Sequence, residues 1–495
     1  MSSRRSFLPT FRLFLLLLFT LVSTSSIVVA VRPTLAQTTL VVTKATDTND
    51  GVCDSDCSLR EAIADAAAGT TITFAAGVDT VTLTSDELRI STSLTIDGGA
   101  GVIIERDSGA GDFRIFTISG TGVEVTLDSL TIRNGRVTGD GGGIFNSDAT
   151  LTISNSTVGG NRTTNGRSGD FGGNGGDGGG IFNTGNLTIS NSTVGGNQTG
   201  NGGSGSSFDG NGGVGGGIYN RGIVTISNST VSDNQTGSGS RGGVGGGIMN
   251  NAGILTIRDS TISGNQTGSG SFAGDGGGIW NGSAGIVTIT RSTISDNQTG
   301  NGGSFAGSGG GIQNESDGRL IISNSTISGN RAGNGGNSSS IGGRGGDGGG
   351  IANTETVIIS NSTISGNRAG NGGNGRSIGG IGGSGGGIFN FGNSTSAGTV
   401  TIINSTLSGN QSGGSPNSRD GAGGGIFNSN TGTVRIANTI VANSPTGGDI
   451  VDEGDSFTNL GNSIVEDGSL VGTLTGDPQL GPLQANGGPT RTHLP

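Results

Sequence analysis

Nine copies of one short pattern decide what this chain can fold into. Each copy has three glycines, an isoleucine, a variable residue and an asparagine, as in Gly141-Gly142-Gly143-Ile144-Phe145-Asn146. The isoleucines are Ile144, Ile181, Ile218, Ile248, Ile279, Ile312, Ile351, Ile388 and Ile426, spaced 30 to 39 residues apart. A period of this length marks a stack of units that bury apolar surface against their neighbours, not a closed globule. Composition agrees, since 108 of 495 residues are glycine and only 4% are aromatic. That is thin material for one large core, but enough for a narrow column fed by a few aliphatic residues per unit.

A second motif trails each copy, as in Leu151-Thr152-Ile153-Ser154-Asn155-Ser156-Thr157-Val158. Alternation along a strand points Ile144, Leu151 and Ile153 inward. Val158 lies an odd number of positions after Ile153, so a turn near Asn155 is needed to bring it inside. A further corner falls at Asn161 and its counterparts. Three short strands and three corners per unit predict an all-β chain, a single-stranded parallel β-helix with turns about 4.8 Å apart. The corner asparagines read as structural, because Asn tolerates left-handed backbone angles and stacked amides bond from turn to turn. Between the last corner and the next glycine triple lie 10 to 17 residues of mostly Gly, Ser, Asn and Asp, such as 162–177 and 198–214. They leave the same corner of every unit and form a fringe along one edge.

Four segments follow from this reading. Residues 1–36 carry arginines and no acid, an apolar run at 13–22 and small residues before Gln37, the layout of an export signal. The run is too short to cross a bilayer as a helix. Residues 37–135 form an N-terminal cap and the first irregular turns, 136–443 the nine repeats, and 444–495 a C-terminal segment. Beyond the signal, 21 basic face 36 acidic residues. That surface is expected to repel nucleic acid and anionic lipid. Cys53 and Cys57 are too few for a zinc site, with His493 as the sole histidine, so an exported chain is expected to pair them, free thiols being the alternative. Ser58-Leu59-Arg60-Glu61 has the form of a capping box. The helix it opens is predicted to run through Ala62, Ile63, Ala66 and Ala67 to Gly69 and to cover the first turn.

The stretch Asp47-Thr48-Asn49-Asp50-Gly51-Val52-Cys53-Asp54-Ser55-Asp56-Cys57-Ser58-Leu59-Arg60-Glu61-Ala62-Ile63 resembles the CSLREA domain. That resemblance implies an exported or surface bacterial protein whose β-helix is right-handed and follows the module. Asp477-Pro478-Gln479-Leu480 through Asn486-Gly487-Gly488-Pro489-Thr490-Arg491-Thr492-His493 is similar to the choice-of-anchor Q domain, here expected as a truncated copy. The repeats distantly resemble those of polymorphic outer-membrane proteins. The fold is shared with pectate lyases and polygalacturonases, which resemble one another in needing clustered acids with Lys, Arg or His on one face. This chain has one lysine, Lys44, outside the repeats.

Two groups of residues are candidates for function. Six of the nine residues after the marker isoleucines are aromatic: Phe145, Phe182, Tyr219, Trp280, Phe389 and Phe427. As variable neighbours of an invariant inward residue they should face outward, where they would stack on sugars or dock a protein unless the fringe covers them. Asp140, Asp177, Asp275 and Asp347 share the position before the glycine triple. Asp140 and Asp177, in consecutive units about 5 Å apart, are a candidate calcium pair, with two solvated acids as the alternative. The calcium nonapeptide pattern begins at Gly172 to Asp177 but fails two residues later, where glycine replaces a large apolar residue. No other cofactor is expected. The expected role is non-catalytic adhesion, display or glycan contact at the cell surface, and the alternative is a polysaccharide-acting enzyme using an Asp pair.

Overall fold

The computed structural model describes residues 38–392, 397–429, 431–454 and 456–494. The export signal read at 1–36 lies outside the described residues. In the turn that begins at Ile279, the strands are Ile279–Gly282, Ile286–Thr290 and Thr293–Ser295. Each pairs in parallel with its counterparts one turn before and one turn after. Ile279 is in register with Ile248 and Ile312, and the other marker isoleucines continue the column without a slip. All nine are fully buried. The chain is a right-handed parallel β-helix.

The column exists because the alternation of each strand sends the same positions inside in every turn. Ile279, Val287, Ile289 and Ile294 are all 0% exposed. Each such side chain contributes roughly 1.5–3 kcal/mol on burial, so a turn is held by a handful of aliphatic contacts repeated along the stack. First strands form a 12-stranded sheet, while second and third strands belong to one 25-stranded sheet. They join because 94–106 and 124–133 run through both columns as single strands.

The asparagines divide into two kinds of residue, which corrects their common description as left-handed corners. Only the series of Asn155, Asn191 and Asn228 has positive φ, near 50°. Asp259 and Arg291 occupy the same position with φ of 51° and 48° and pair at 2.7 Å. The series of Asn146 and Asn161 instead point inward and are at most 1% exposed. Asn146 Nδ2 donates to Asn183 Oδ1 at 2.7 Å, Asn183 to Asn220 at 2.9 Å, and the chain of amides continues to Asn428. Asn146 Oδ1 is buried without a partner, because the preceding turn offers Ile118 in its register. At the last corner the left-handed residue is the one before Asn161, Gly160, with Asp233 and Asp296 replacing glycine in two turns.

The glycine triple is needed for three separate reasons, visible at Gly276, Gly277 and Gly278. Gly276 has a φ of +66°. A Cβ on Gly277 would lie 2.3 Å from Gly310 O, and one on Gly278 would lie 3.0 Å from Asn297 Nδ2. The fringe is ordered by the same stacking. Thr199 Oγ1 donates to Gly213 O at 2.7 Å across the base of its own segment and accepts from the next segment's Gly237 N–H at 2.8 Å.

The N-terminal helix α1, Leu59–Asp65, has the expected capping box between Ser58 and Glu61. It stops at Asp65 rather than running to Gly69. Ala66 is already extended, and the chain must reach the strand beginning at Thr70. Leu59, Ala62 and Ile63 join the same apolar core as Val42. Burial alone would raise the Glu61 carboxyl, but N–H donation from Ser58 and Asp50, with Lys44 beside it, holds it at about 2. Cys53 and Cys57 form a disulfide. At the other end the tail folds back onto the repeats: Thr326 Oγ1 donates to Arg491 O at 2.6 Å, and His493 Nε2 lies 2.9 Å from Ser365 Oγ. No helix among the described residues is long and apolar enough to cross a membrane.

Candidate functional site

In-register stacking governs what an outward aromatic can do. A ring repeated in successive turns meets its own counterpart face to face along the axis. Phe145 and Phe182 stack at 5.1 Å and 5°, Phe182 and Tyr219 at 4.6 Å and 3°, and Phe389 and Phe427 at 5.4 Å and 5°. Arg114 sits over Phe145 at 5.1 Å, Asn251 Nδ2 donates to the Tyr219 hydroxyl, and Trp280 Nε1 donates to Glu315 at 3.2 Å. Phe182, Tyr219, Trp280 and Phe427 are 5–8% exposed, and Phe145 and Phe389 are half-buried. Between them these rings offer ligands edges rather than open faces.

The acids before the glycine triples are also drawn into the stack. Asp140 Oδ1 accepts the Asp177 N–H at 2.9 Å, and Asp177 Oδ1 accepts the Val214 N–H at 2.9 Å. Ser308 and Ser384 do the same work at this position in later turns, accepting from Asp347 and Ala422 N–H. Burial pushes Asp177 up to about 6, with the Asp140 charge adding to it. Calcium takes six to eight oxygens, and no group of three or more His, Cys, Asp or Glu converges among the described residues.

The fringe builds the arrangement with most chemistry. Two of its segments carry a Gly-Ser-Phe-Ala-Gly sequence, placing Phe272 and Phe305 at paired positions in neighbouring turns. The rings stack at 5.5 Å, and Arg241 from the turn before lies over Phe272 at 5.3 Å. Beneath them is a hollow of about 320 Å³ lined also by Asp275, Ser308, Arg344 and Asp347. Asp275 Oδ1 accepts the Ser308 N–H at 2.6 Å, and Asp347 is held by the Ser384 N–H at 2.7 Å and by Arg344 at 2.8 Å. Burial pushes Asp275 up to about 7, against the Ser308 N–H, while the charges of Glu315 and Asp347 push the same way as burial. Asp347 is raised by burial too, against its pairing with Arg344. The hollow thus presents two arginines, a carboxyl that changes charge near neutrality and two half-covered rings.

Of these residues, Asp275 and Asp347 stand out in the sequence by their place before the glycine triple. Phe272, Phe305 and Arg241 do not carry the repeat's signature and were missed. Their signal was isolation: a single aromatic in a segment otherwise of Gly, Ser, Asn and Asp has no core to enter.

No protein family matches the chain, and no curated protein does. The CSLREA and choice-of-anchor Q resemblances therefore stand on their quoted residues alone. Among solved structures, the chain is similar to a pectate lyase at 14% identity, over 86% of this chain and 80% of that one, with a TM-score of 0.34. It is similar to a mannuronan C-5 epimerase module of Azotobacter vinelandii at 13% identity, over 88% and 98%, with a TM-score of 0.36. It is similar to tailspike protein 3 of bacteriophage CBA120 at 11% identity, over 82% of this chain but 58% of that one, with a TM-score of 0.37. Likeness this distant assigns no activity, and the strand registers establish the β-helix by themselves.

Proposed function

We propose that this is a non-catalytic, exported β-helical protein of adhesion or display, which contacts glycans through the fringe hollow. The observation that carries this reading is the convergence of Arg241, Arg344, Asp275 and Ser308 beside Phe272 and Phe305 in one open concavity. Hydroxyl-rich ligands need this mixture: donors and acceptors fixed in place, with an apolar wall for the ring's C–H edge. The test is a glycan array followed by calorimetry on the hits, using wild type, Arg241→Ala and Asp275→Asn. Retained binding to every hit in both variants would move glycan contact away from this hollow.

A second reading, a polysaccharide-acting enzyme, is favoured by one observation. Asp275, held at about 7, is a proton donor matched to neutral pH with a second acid nearby. Incubation with the array hits, read as new reducing ends or unsaturated products, separates the two. Turnover abolished by Asp275→Asn supports the enzyme, whereas binding without turnover supports the first reading.

A further inference from the structure

The tail that folds back on the coil is closed on itself. Gln484 and Thr492 exchange backbone hydrogen bonds at 3.1 and 2.9 Å, and the Gly481 N–H donates to Leu494 O at 2.7 Å. Asn486 Nδ2 donates to Thr492 O at 2.9 Å, and His493 Nδ1 lies 2.6 Å from Gly481 O. A carbonyl can only accept, so Nδ1 carries the proton and Nε2 of the neutral ring accepts from Ser365. The hairpin 481–494 thus fixes its own shape and meets the coil through polar groups of two adjacent turns. Thr326 Oγ1 donates to Arg491 O, Ser365 Oγ donates to His493 Nε2, and Thr490 Oγ1 donates to Asn324 O at 3.5 Å.

This seat is a corner asparagine, a threonine two residues on, and a serine one turn further along. It recurs as Asn191, Thr193 and Ser232, and again as Asn228, Thr230 and Ser263, in the same strand register. The three asparagines share a φ of 48–50°. Under the hairpin Thr326 and Ser365 are 1% and 7% exposed. The hydroxyl residues of the other two sets are half-buried, and Asn191 and Asn228 are exposed. The remaining uncovered turns lack one part or another. Asp259 and Arg291 fill their corners with an ion pair at 2.7 Å, and Thr157 has Gly195 where the serine would stand. The two complete sets overlap in one turn, so together they take one hairpin in either of two registers.

What covers these groups where they are covered is the chain's own hairpin, and that identifies the occupant where they are not. We propose that the third-strand face between Asn191 and Ser263 receives the 481–494 hairpin of a second copy. A hairpin that moves from its own coil to a neighbour's makes the same hydrogen bonds in both places, so contacts alone favour neither. The tether decides, because a short tether holds its end at an effective concentration on the order of millimolar. Dilute chains therefore keep the hairpin at home, and chains crowded to that level exchange it and associate side by side. This face is distinct from the glycan hollow and does not depend on it.

The test is sedimentation equilibrium of the full chain from about 10 µM to about 1 mM, on wild type and two double variants. Wild type is expected to associate toward the upper end of that range. Thr193→Val with Thr230→Val removes the receiving hydroxyls and keeps the β-branched shape, so association should weaken about tenfold with unchanged thermal unfolding. Thr326→Val with Ser365→Ala weakens the hairpin's own seat and should have the opposite effect, strengthening association about tenfold or more. A contact through any other surface would not respond to the two variants with opposite signs. The proposal is overturned if wild type and the Thr326 variant both stay monomeric throughout. It is also overturned if the Thr193 variant associates as wild type does, or if the Thr326 variant, folded, associates no more strongly than wild type. Should the Thr326 variant fail to fold, wild type against the Thr193 variant decides, and a monomeric wild type then overturns it.

Discussion

Asn281→Asp exchanges one amide for a carboxyl and breaks the direction of the ladder that runs through the coil. Asn281 is 0% exposed, its Oδ1 accepts from Asn250 at 2.8 Å, and its Nδ2 donates to Asn314 Oδ1 at 2.8 Å and Gly285 O at 3.0 Å. The substitution keeps the acceptor and removes the donor, leaving two buried oxygens facing a third. Each orphaned group costs roughly 1–3 kcal/mol. An ionised carboxylate there has no counter-charge, and buried carboxyls respond by rising about 3–5 units, at 1.36 kcal/mol per unit. The expected deficit at pH 8 is therefore on the order of 4–7 kcal/mol. Because the folded state would bind the proton more tightly than the unfolded chain, the variant is most stable below about pH 4 and loses stability as pH rises. Below that range the acid's O–H restores one donor. A carboxylate is tolerated only where the ladder ends: Asp452 accepts from Asn428 at 2.8 Å and, on its other oxygen, from the Phe457 N–H at 3.0 Å, so no donor is asked of it. A repeat array opens locally, so the assay is hydrogen exchange of 248–251 and 312–314 at pH 5 and pH 8. Equal protection at both pH values, or wild-type protection at pH 8, would refute the directional ladder.

Other consequences are as direct. A Cβ at Gly370 would lie 1.7 Å from Gly333 O, so Gly370→Ala should part the neighbouring fringe segments at a cost of about 1–3 kcal/mol. Limited proteolysis should then cut within 331–347 and 368–384 while the core strands stay protected. Asp177 and Asp275 are raised to about 6 and 7 from 3.8, so wild-type stability should fall as pH rises from about 4 through 7. Urea unfolding across that window should show a shallower decline for Asp275→Asn. Cys53→Ser with Cys57→Ser opens a small loop and should cost about 2 kcal/mol in the chain-entropy view, seen as faster exchange in α1 and unchanged exchange in the repeats.

The sequence alone was enough for the path of the chain. The spacing of the isoleucines and the strand alternation specify a stack of turns in register, and the Ser58–Glu61 pair specifies where the helix begins. These signals are local and periodic, so one dimension holds them. What each column does on meeting its copy was decided only in three dimensions. Asn155 and Asn161 look alike in the repeat, yet one bends the backbone and the other spends both ends of its amide on its neighbours. Phe145 and Phe182 spend their faces on each other, and Phe182 is left only 8% exposed. Asp140 and Asp177, side by side, serve as backbone acceptors. Phe272 and Phe305 lie outside the marker motif, and they meet each other and Arg241 only because stacking brings their segments into register. In a β-helix every residue's nearest partner is its own counterpart one turn away, about 4.8 Å along the axis, and that partner decides which surfaces remain for anything else.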